Sequence, residues 1–214
     1  MENETMIQFI DNLNTTIPKG YEKIKDIFNE PYDMPELDPV RDEICKCIIC
    51  GLHQAAITLT NHLLEQSLKT CLIYNDSIDN KQPKSSLESW LDEGVKKYDK
   101  IGLSDSINYA CTVGLITKEQ KKLLHFSRKH FRDAYSHASL NGTFDDATVS
   151  GKMVSVEDFN SIDDLGKIVF DSNNYQDIKL NSFIACRGIA QCKFAEQDCV
   201  PYFRNIDNII EKWY

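Results

Sequence analysis

The chain has 214 residues, 42% of them apolar and 27% charged, which is enough to bury a sizeable core and too apolar for a disordered chain. Its net charge of −9 and pI near 5.0 exclude a protein that coats nucleic acid non-specifically, although a local basic site remains compatible with that total. No apolar run is long enough to cross a bilayer, and the acidic start Met1-Glu2-Asn3-Glu4 lacks the apolar segment of a secretory signal. A cytoplasmic protein without a membrane segment is expected, with its eight cysteines reduced and mostly buried.

In chain order, residues 1–38 read as an N-terminal helical arm and connector. Two short amphipathic pieces are expected on either side of Pro18, with Tyr21, Ile24 and Phe28 at helical spacing. Pro31 and Pro35 mark the connector. Asp38-Pro39 then reads as an N-cap followed by proline in the first helical turn, with Asp42 and Glu43 close behind.

Residues 39–140 form the predicted helical core. A long helical pattern runs to about Tyr74, bending near Gly51. Its second half carries a wide apolar face of Ala56, Leu59, Leu63, Leu64 and Leu68, the pattern of a central core helix. A polar loop over 75–84 precedes Ser85-x-x-Glu88, whose capping-box spacing opens a helix through Trp90, Leu91 and Val95. A further helix is predicted from Ser104 to Val113 and is ended by Gly114. Thr117-x-x-Gln120 opens the next, which reaches about Ala138.

Residues 141–178 change texture, mixing Gly, Asp, Ser and Asn with β-like alternation at Met153–Val156 and Lys167–Phe170. An excursion bearing a hairpin is expected there. Residues 179–214 return to helix, with a stripe of Phe203, Ile206, Ile210 and Trp213, and Pro201 bending or restarting it. The fold class is therefore all-α, a helical bundle with one small irregular or β-hairpin-bearing excursion before the C-terminal helix.

The chemistry concentrates in the helix after Thr117. At about 100° per residue, Leu123, Leu124, Ser127, Phe131, Ala134 and Ala138 define its apolar face. Lys121, His125, Arg128 and Arg132 line one flank; Phe126, His130, Asp133 and His137 lie on or beside the other. Asp133 and His137 are i and i+4, a spacing that lets the carboxylate fix the imidazole tautomer. Small residues, Ala134, Ser136 and Ala138, thin out the helix end so that another surface can approach. A solvated charged face is the bland alternative, set against a run of Lys, Arg and three histidines (His125, His130, His137) in an otherwise acidic chain.

These residues carry a resemblance. Gly114-Leu115-Ile116-Thr117, the helix that follows, and Phe131-Arg132-Asp133-Ala134-Tyr135-Ser136-His137-Ala138 resemble the HEPN family (higher eukaryotes and prokaryotes nucleotide-binding domain). The family signature is an arginine, a polar residue, and a histidine after four to six intervening positions. Arg132, Asp133 and His137 match it, and Ala56 to Lys69 looks like the family's first core helix. The likeness covers roughly residues 40–138 and the terminal helix.

The resemblance implies an all-α homodimer formed through the motif helices, with two Arg132/His137 pairs in one cleft. It further implies RNA as substrate, cleavage with neither metal nor cofactor, and a toxin or antiphage-defence setting with a possible antitoxin or defence partner. Other family members lack activity and serve as dimerisation modules that bind nucleotide, RNA or a protein, so both readings stay open. Under the enzyme reading Arg132, His137 and Asp133 are catalytic, and Arg128, Lys129, His125 and Lys121 contact the RNA backbone. Glu65 and His130 are supporting positions: Glu65 either pairs with Lys69 on the surface or orients Arg132. Members controlled by a nucleotidyltransferase carry a tyrosine two positions after the histidine; here that position is Ser139, so control of that kind is not expected.

Cys45-x-Cys47-x-x-Cys50 with His53 suggests zinc by composition only. On a helix Cys45 points away from Cys47 and Cys50, so structural thiols are the expectation. His62 reads as structural, and Cys186, Cys192 and Cys199 as core or half-buried.

Overall fold

The computed structural model describes residues 2–79, 87–136, 148–151, 176–179 and 184–213. Six α-helices precede a π-helical segment: α1 (Glu2–Phe28), α2 (Asp38–Ile49), α3 (His53–Asp79), α4 (Leu87–Tyr98), α5 (Leu103–Thr112) and α6 (Lys118–Ser127), continued by Arg128–Ser136. A seventh helix, α7 (Ile184–Ile210), closes the described chain with a 3-10 turn over Glu211–Trp213. The protein is all-α in its core, as its apolar periodicity implies.

The core forms around α3, which packs against α2, α4, α5, α7 and the π segment. Its predicted face is buried at Ala56, Leu63, Leu64 and Leu68, with Leu59 half-buried beside them. Thr60 and Ser67 share that interior because each hydroxyl donates to the carbonyl one turn back, Ala56 O at 2.7 Å and Leu63 O at 2.7 Å. On α7, Phe203, Ile206 and Ile210 are buried and Trp213 packs at the margin, so the expected stripe faces α3.

Several boundaries differ from the sequence reading, each for a local reason. The pattern over residues 40–74 divides at Gly51 (φ 75°) instead of merely bending. Leu52 N–H bonds Cys47 O at 2.8 Å and Gly51 N–H bonds Ile48 O at 3.1 Å, a Schellman termination. Gly114 (φ 81°) ends α5 in the same way, through Leu115 N–H to Ala110 O at 2.9 Å. Asp38 does not cap α2; Leu37 holds that position, and the Asp38 carboxylate accepts from Tyr32 N–H at 2.9 Å and Met34 N–H at 2.8 Å. Asp38 thus folds the connector onto the helix start.

Neither Pro18 nor Pro201 interrupts its helix. Both rings are exposed, where solvent can reach the carbonyl each leaves without a donor. Thr117 and Gln120 form the predicted capping box in full, with bonds of 2.8 and 3.1 Å. Leu123, placed on the apolar face, is exposed instead.

Within the excursion, Thr148–Gly151 and Gln176–Lys179 pair antiparallel, with Thr148 opposite Lys179 and Gly151 opposite Gln176. The alternating stretches at 153–156 and 167–170, like Ser85 and Ala138, lie outside the described residues. Among the described residues, no helix is long and apolar enough to cross a membrane.

A buried clasp ties α2 and the connector before it to α7. Arg41 and Asp207 are both buried; Arg41 Nε donates to Asp207 Oδ1 at 2.8 Å and Nη1 to Ile27 O at 2.8 Å. Tyr32 donates its hydroxyl to the same carboxylate and lays its ring under the guanidinium, 4.4 Å from Cζ.

Candidate functional site

The helix that carries the predicted site changes pitch where the site begins. After Ser127 the backbone ladder widens to i→i+5 bonding over Arg128–Ser136. Such widenings are rare and concentrate at functional sites. Their effect on side chains is direct, because residues five apart now stack on one face. Arg128 and Asp133 display it: Arg128 Nη1 lies 3.2 Å from Asp133 Oδ2.

That contact gives Asp133, expected to steady His137 as its i−4 neighbour, a partner in Arg128 that α-helical spacing did not anticipate. His137 itself lies outside the described residues. On its other edge Arg128 Nε is buried and has no hydrogen-bond partner among the described residues. Of the residues expected to contact RNA, Arg128 is therefore partly occupied by its own helix.

The segment is pinned on two sides. Toward α3, Arg132 Nη2 approaches Glu65 Oε2 at 3.3 Å, while Glu65 Oε1 holds Lys69 Nζ at 3.1 Å. Glu65 thus contacts both partners that the sequence offered as alternatives, Lys69 and Arg132. Further along, Asn61 Nδ2 donates to Ser136 Oγ at 3.2 Å, and the buried Tyr202 hydroxyl donates to Asn61 Oδ1 at 2.7 Å. Toward α7, Phe131 stacks on Tyr202 with centroids 4.1 Å apart, and Tyr135 donates to Gln191 O at 3.1 Å. The Tyr202–Asn61–Ser136 relay had no sequence signal, since its members lie far apart along the chain.

The other candidates divide by environment. His125 Nε2 sits 3.2 Å from Asn108 Oδ1 on α5. Burial, then Arg128 and Lys121, hold its pKa below the ordinary imidazole value, so His125 is a neutral hydrogen-bonding group at neutral pH instead of a phosphate-binding cation. Lys121 is half-buried and Lys129 exposed. His130 turns away from the Arg132–Glu65 pair, its ring 4.0 Å from that of Phe126.

There it borders a pocket of about 290 Å³ that Phe126, His130, Phe131, Tyr135, Phe194 and Asp198 line. Burial raises the pKa of the Asp198 carboxyl, and burial together with that carboxylate pushes the Tyr135 phenol up to about 12. Only the Phe126/His130 spacing was visible in sequence; Phe194 and Asp198 arrive from α7.

The chain matches no family model, no curated protein and no solved structure.

The cysteines add little to the site. The seven described ones are free thiols, and burial pushes Cys45 to about 12 and Cys199 to about 11, values that leave them protonated and unreactive. Cys192 is exposed, contrary to expectation, and accepts from Gln54 Nε2 at 3.3 Å. His62 is exposed on α3. Among the described residues, no three His, Cys, Asp or Glu side chains are grouped to hold a metal ion.

Proposed function

We propose that this chain is a metal-independent HEPN-type endoribonuclease, cutting RNA at a site that two copies complete together with Arg132 and His137. The supporting observation is the Arg132–Glu65 pair, in which a carboxylate from the central helix holds the motif arginine by one nitrogen at 3.3 Å. A guanidinium has five N–H donors, and among the described residues Arg132 is held through Nη2 alone, an arrangement suited to turning other donors toward a ligand. Preorganised in this way, Arg132 is suited to the negative charge that builds on a phosphorane transition state.

The reaction needs two further groups. A base accepts the 2′-hydroxyl proton as the 2′-oxygen bonds to phosphorus. An acid protonates the 5′-oxygen as its bond to phosphorus breaks. Histidine performs either role near neutral pH, and two copies of His137 supply both. The aromatic pocket beside Phe131 suits an unstacked base, as single-stranded RNA is read by stacking on aromatic rings. A toxin or defence effector in the cytoplasm, held by an antitoxin or defence partner, is the setting this reading implies.

The test is cleavage of a mixed RNA pool in EDTA by the full chain and by His137→Ala. Chelator-resistant cutting that the substitution abolishes is the expected result. No cutting under any condition transfers the assignment to a non-catalytic module that binds nucleotide, RNA or a protein partner. One observation favours that second reading: Glu65 offsets much of the Arg132 charge in a chain of net charge −9.

A further inference from the structure

The pocket beside the π segment combines aromatic walls with a single carboxylate, Asp198. Its volume of about 290 Å³ stands at the small end of ligand sites, which run from about 300 to 1,000 Å³. That size suits one ring system. The phenol in the wall is already engaged, since Tyr135 donates its hydroxyl to Gln191 O at 3.1 Å.

Asp198 is not. It is half-buried, and among the described residues its carboxylate accepts no hydrogen bond and joins no ion pair. Burial alone raises its pKa. A carboxylate held this way carries a desolvation cost that N–H donors entering the cavity would offset.

The form of the acceptor narrows the choice of ligand. An ionised carboxylate accepts only, through two oxygens side by side. Among the four RNA bases, guanine alone has two adjacent donors, N1–H and the N2 amine, on its Watson–Crick edge. Uracil has one N–H between two carbonyls, and cytosine and adenine each have an amine beside an unprotonated ring nitrogen. Each of those three sets a lone pair against one carboxylate oxygen.

We propose that this pocket takes a guanine base, its ring among Phe126, Phe131 and Phe194 and its N1–H and N2 amine donated to Asp198. Two parallel charge-assisted hydrogen bonds add selectivity to the stacking that any base obtains. The base belongs to the RNA of the reading above, on which this assignment rests; a free guanine nucleotide presents the same edge. An arginine side chain from a partner protein also carries a planar pair of donors, and it is one arm of the test.

Fluorescence anisotropy of the full chain with labelled uridine hexamers tests it, each carrying one central guanosine, inosine, adenosine or cytidine. The guanosine probe should bind roughly tenfold tighter than the all-uridine probe, and inosine, which lacks the N2 amine, should lose most of that gain. Asp198→Asn exchanges one acceptor for an N–H donor and should turn the preference from guanosine to adenosine. The inosine comparison needs only the native chain, so it decides even where the variant fails to fold. Competition by guanosine monophosphate separates the sources. Displacement at the oligonucleotide's own affinity identifies a free nucleotide, and displacement only at far higher concentration identifies the strand.

Equal binding of all probes, or binding of none, overturns the proposal. So does a guanosine preference that inosine shares or Asp198→Asn retains, or displacement by N-acetylarginine amide where guanosine monophosphate fails. Cutting of RNA in EDTA without base preference would sink this assignment and leave the ribonuclease standing; guanine-selective binding without cutting would do the reverse.

Discussion

Arg132 and Glu65 lie 67 residues apart in sequence and meet at 3.3 Å, joining the motif helix to the centre of the core. The pair is half-exposed, 23% and 24% at the side chains, so its contribution to folding is small, about 1 kcal/mol or less. Its contribution to positioning is a different quantity. Glu65→Gln should lower the rate of RNA cleavage by roughly tenfold, the equivalent of one charge-assisted hydrogen bond, while the unfolding midpoint moves little. Arg132→Ala should cost on the order of 10²–10³ in kcat, and Arg132→Lys should not rescue it, since a point charge cannot replace the planar fork. Steady-state kinetics paired with thermal melts separates the two effects; equal losses of stability and rate in Glu65→Gln would make the pair merely structural.

The aromatic pocket yields a separate prediction about binding. Phe126 is 56% exposed and packs on His130, so its removal leaves the core untouched. Phe126→Ala should weaken the binding of single-stranded RNA by about 1–3 kcal/mol, the range for one stacked base. Fluorescence anisotropy with a short single-stranded RNA measures it. Unchanged affinity would remove the pocket from the RNA path.

Local signals explain why so much of this fold was readable in advance. Thr117 and Gln120 cap α6 because both partners lie within one turn, and Gly114 ends α5 because a positive φ suits glycine. What escaped notice depends on distance or on a change of pitch. Spacing arguments assume α geometry, so they placed Asp133 against His137 and could not foresee its contact with Arg128 across an i→i+5 turn. The pocket's Phe194 and Asp198 come from α7, and no pattern around Phe126 announces them. The Arg41–Asp207 clasp has the same character, spanning 166 residues.

That clasp should dominate polar stability. Asp207→Ala strands a buried guanidinium and should destabilise the protein by about 3–5 kcal/mol. Tyr32→Phe removes one donor to the same carboxylate and should cost nearer 1 kcal/mol. Urea unfolding of the two variants checks the order. A loss for Asp207→Ala no larger than that for Tyr32→Phe would show Arg41 finding solvent.

Asp26 and Arg204 form a bidentate surface pair between α1 and α7, at 2.7 and 2.8 Å. The Arg204 hydrogen bonds hold the Asp26 carboxyl down to about 2, against an ordinary value of 3.8. A depressed folded-state pKa means the unfolded chain binds the proton first. The stabilisation is therefore complete above 3.8 and is lost as pH falls toward 2. Asp26→Asn should remove that pH dependence and leave stability at pH 7 only slightly lower, since the carboxylate is largely exposed. Carbon-detected NMR titration of Asp26 gives the value directly, and an ordinary carboxyl pKa there would refute it.

Gly20 supplies a prediction whose sign separates propensity from packing. In an exposed helix, replacing glycine by alanine stabilises by about 1 kcal/mol, because alanine loses less backbone freedom on folding. At Gly20 the new Cβ would stand 2.6 Å from Ile49 O and 2.7 Å from Ile49 Cα. Both are backbone atoms in the last turn of α2, where no side-chain rotation can relieve the overlap. Gly20→Ala must therefore push α1 away from α2 and loosen Ile24 and Ile27, the buried apolar residues that follow it on α1. Overpacking of this kind typically costs 1–3 kcal/mol, which outweighs the propensity gain. Gly188 is the control: it lies in α7 with nothing within 4 Å of an added Cβ, so Gly188→Ala should be neutral to stabilising. Chemical denaturation of the two alanine variants should move their midpoints in opposite directions, and a stabilising Gly20→Ala would mean that α1 does not pack on α2 this closely.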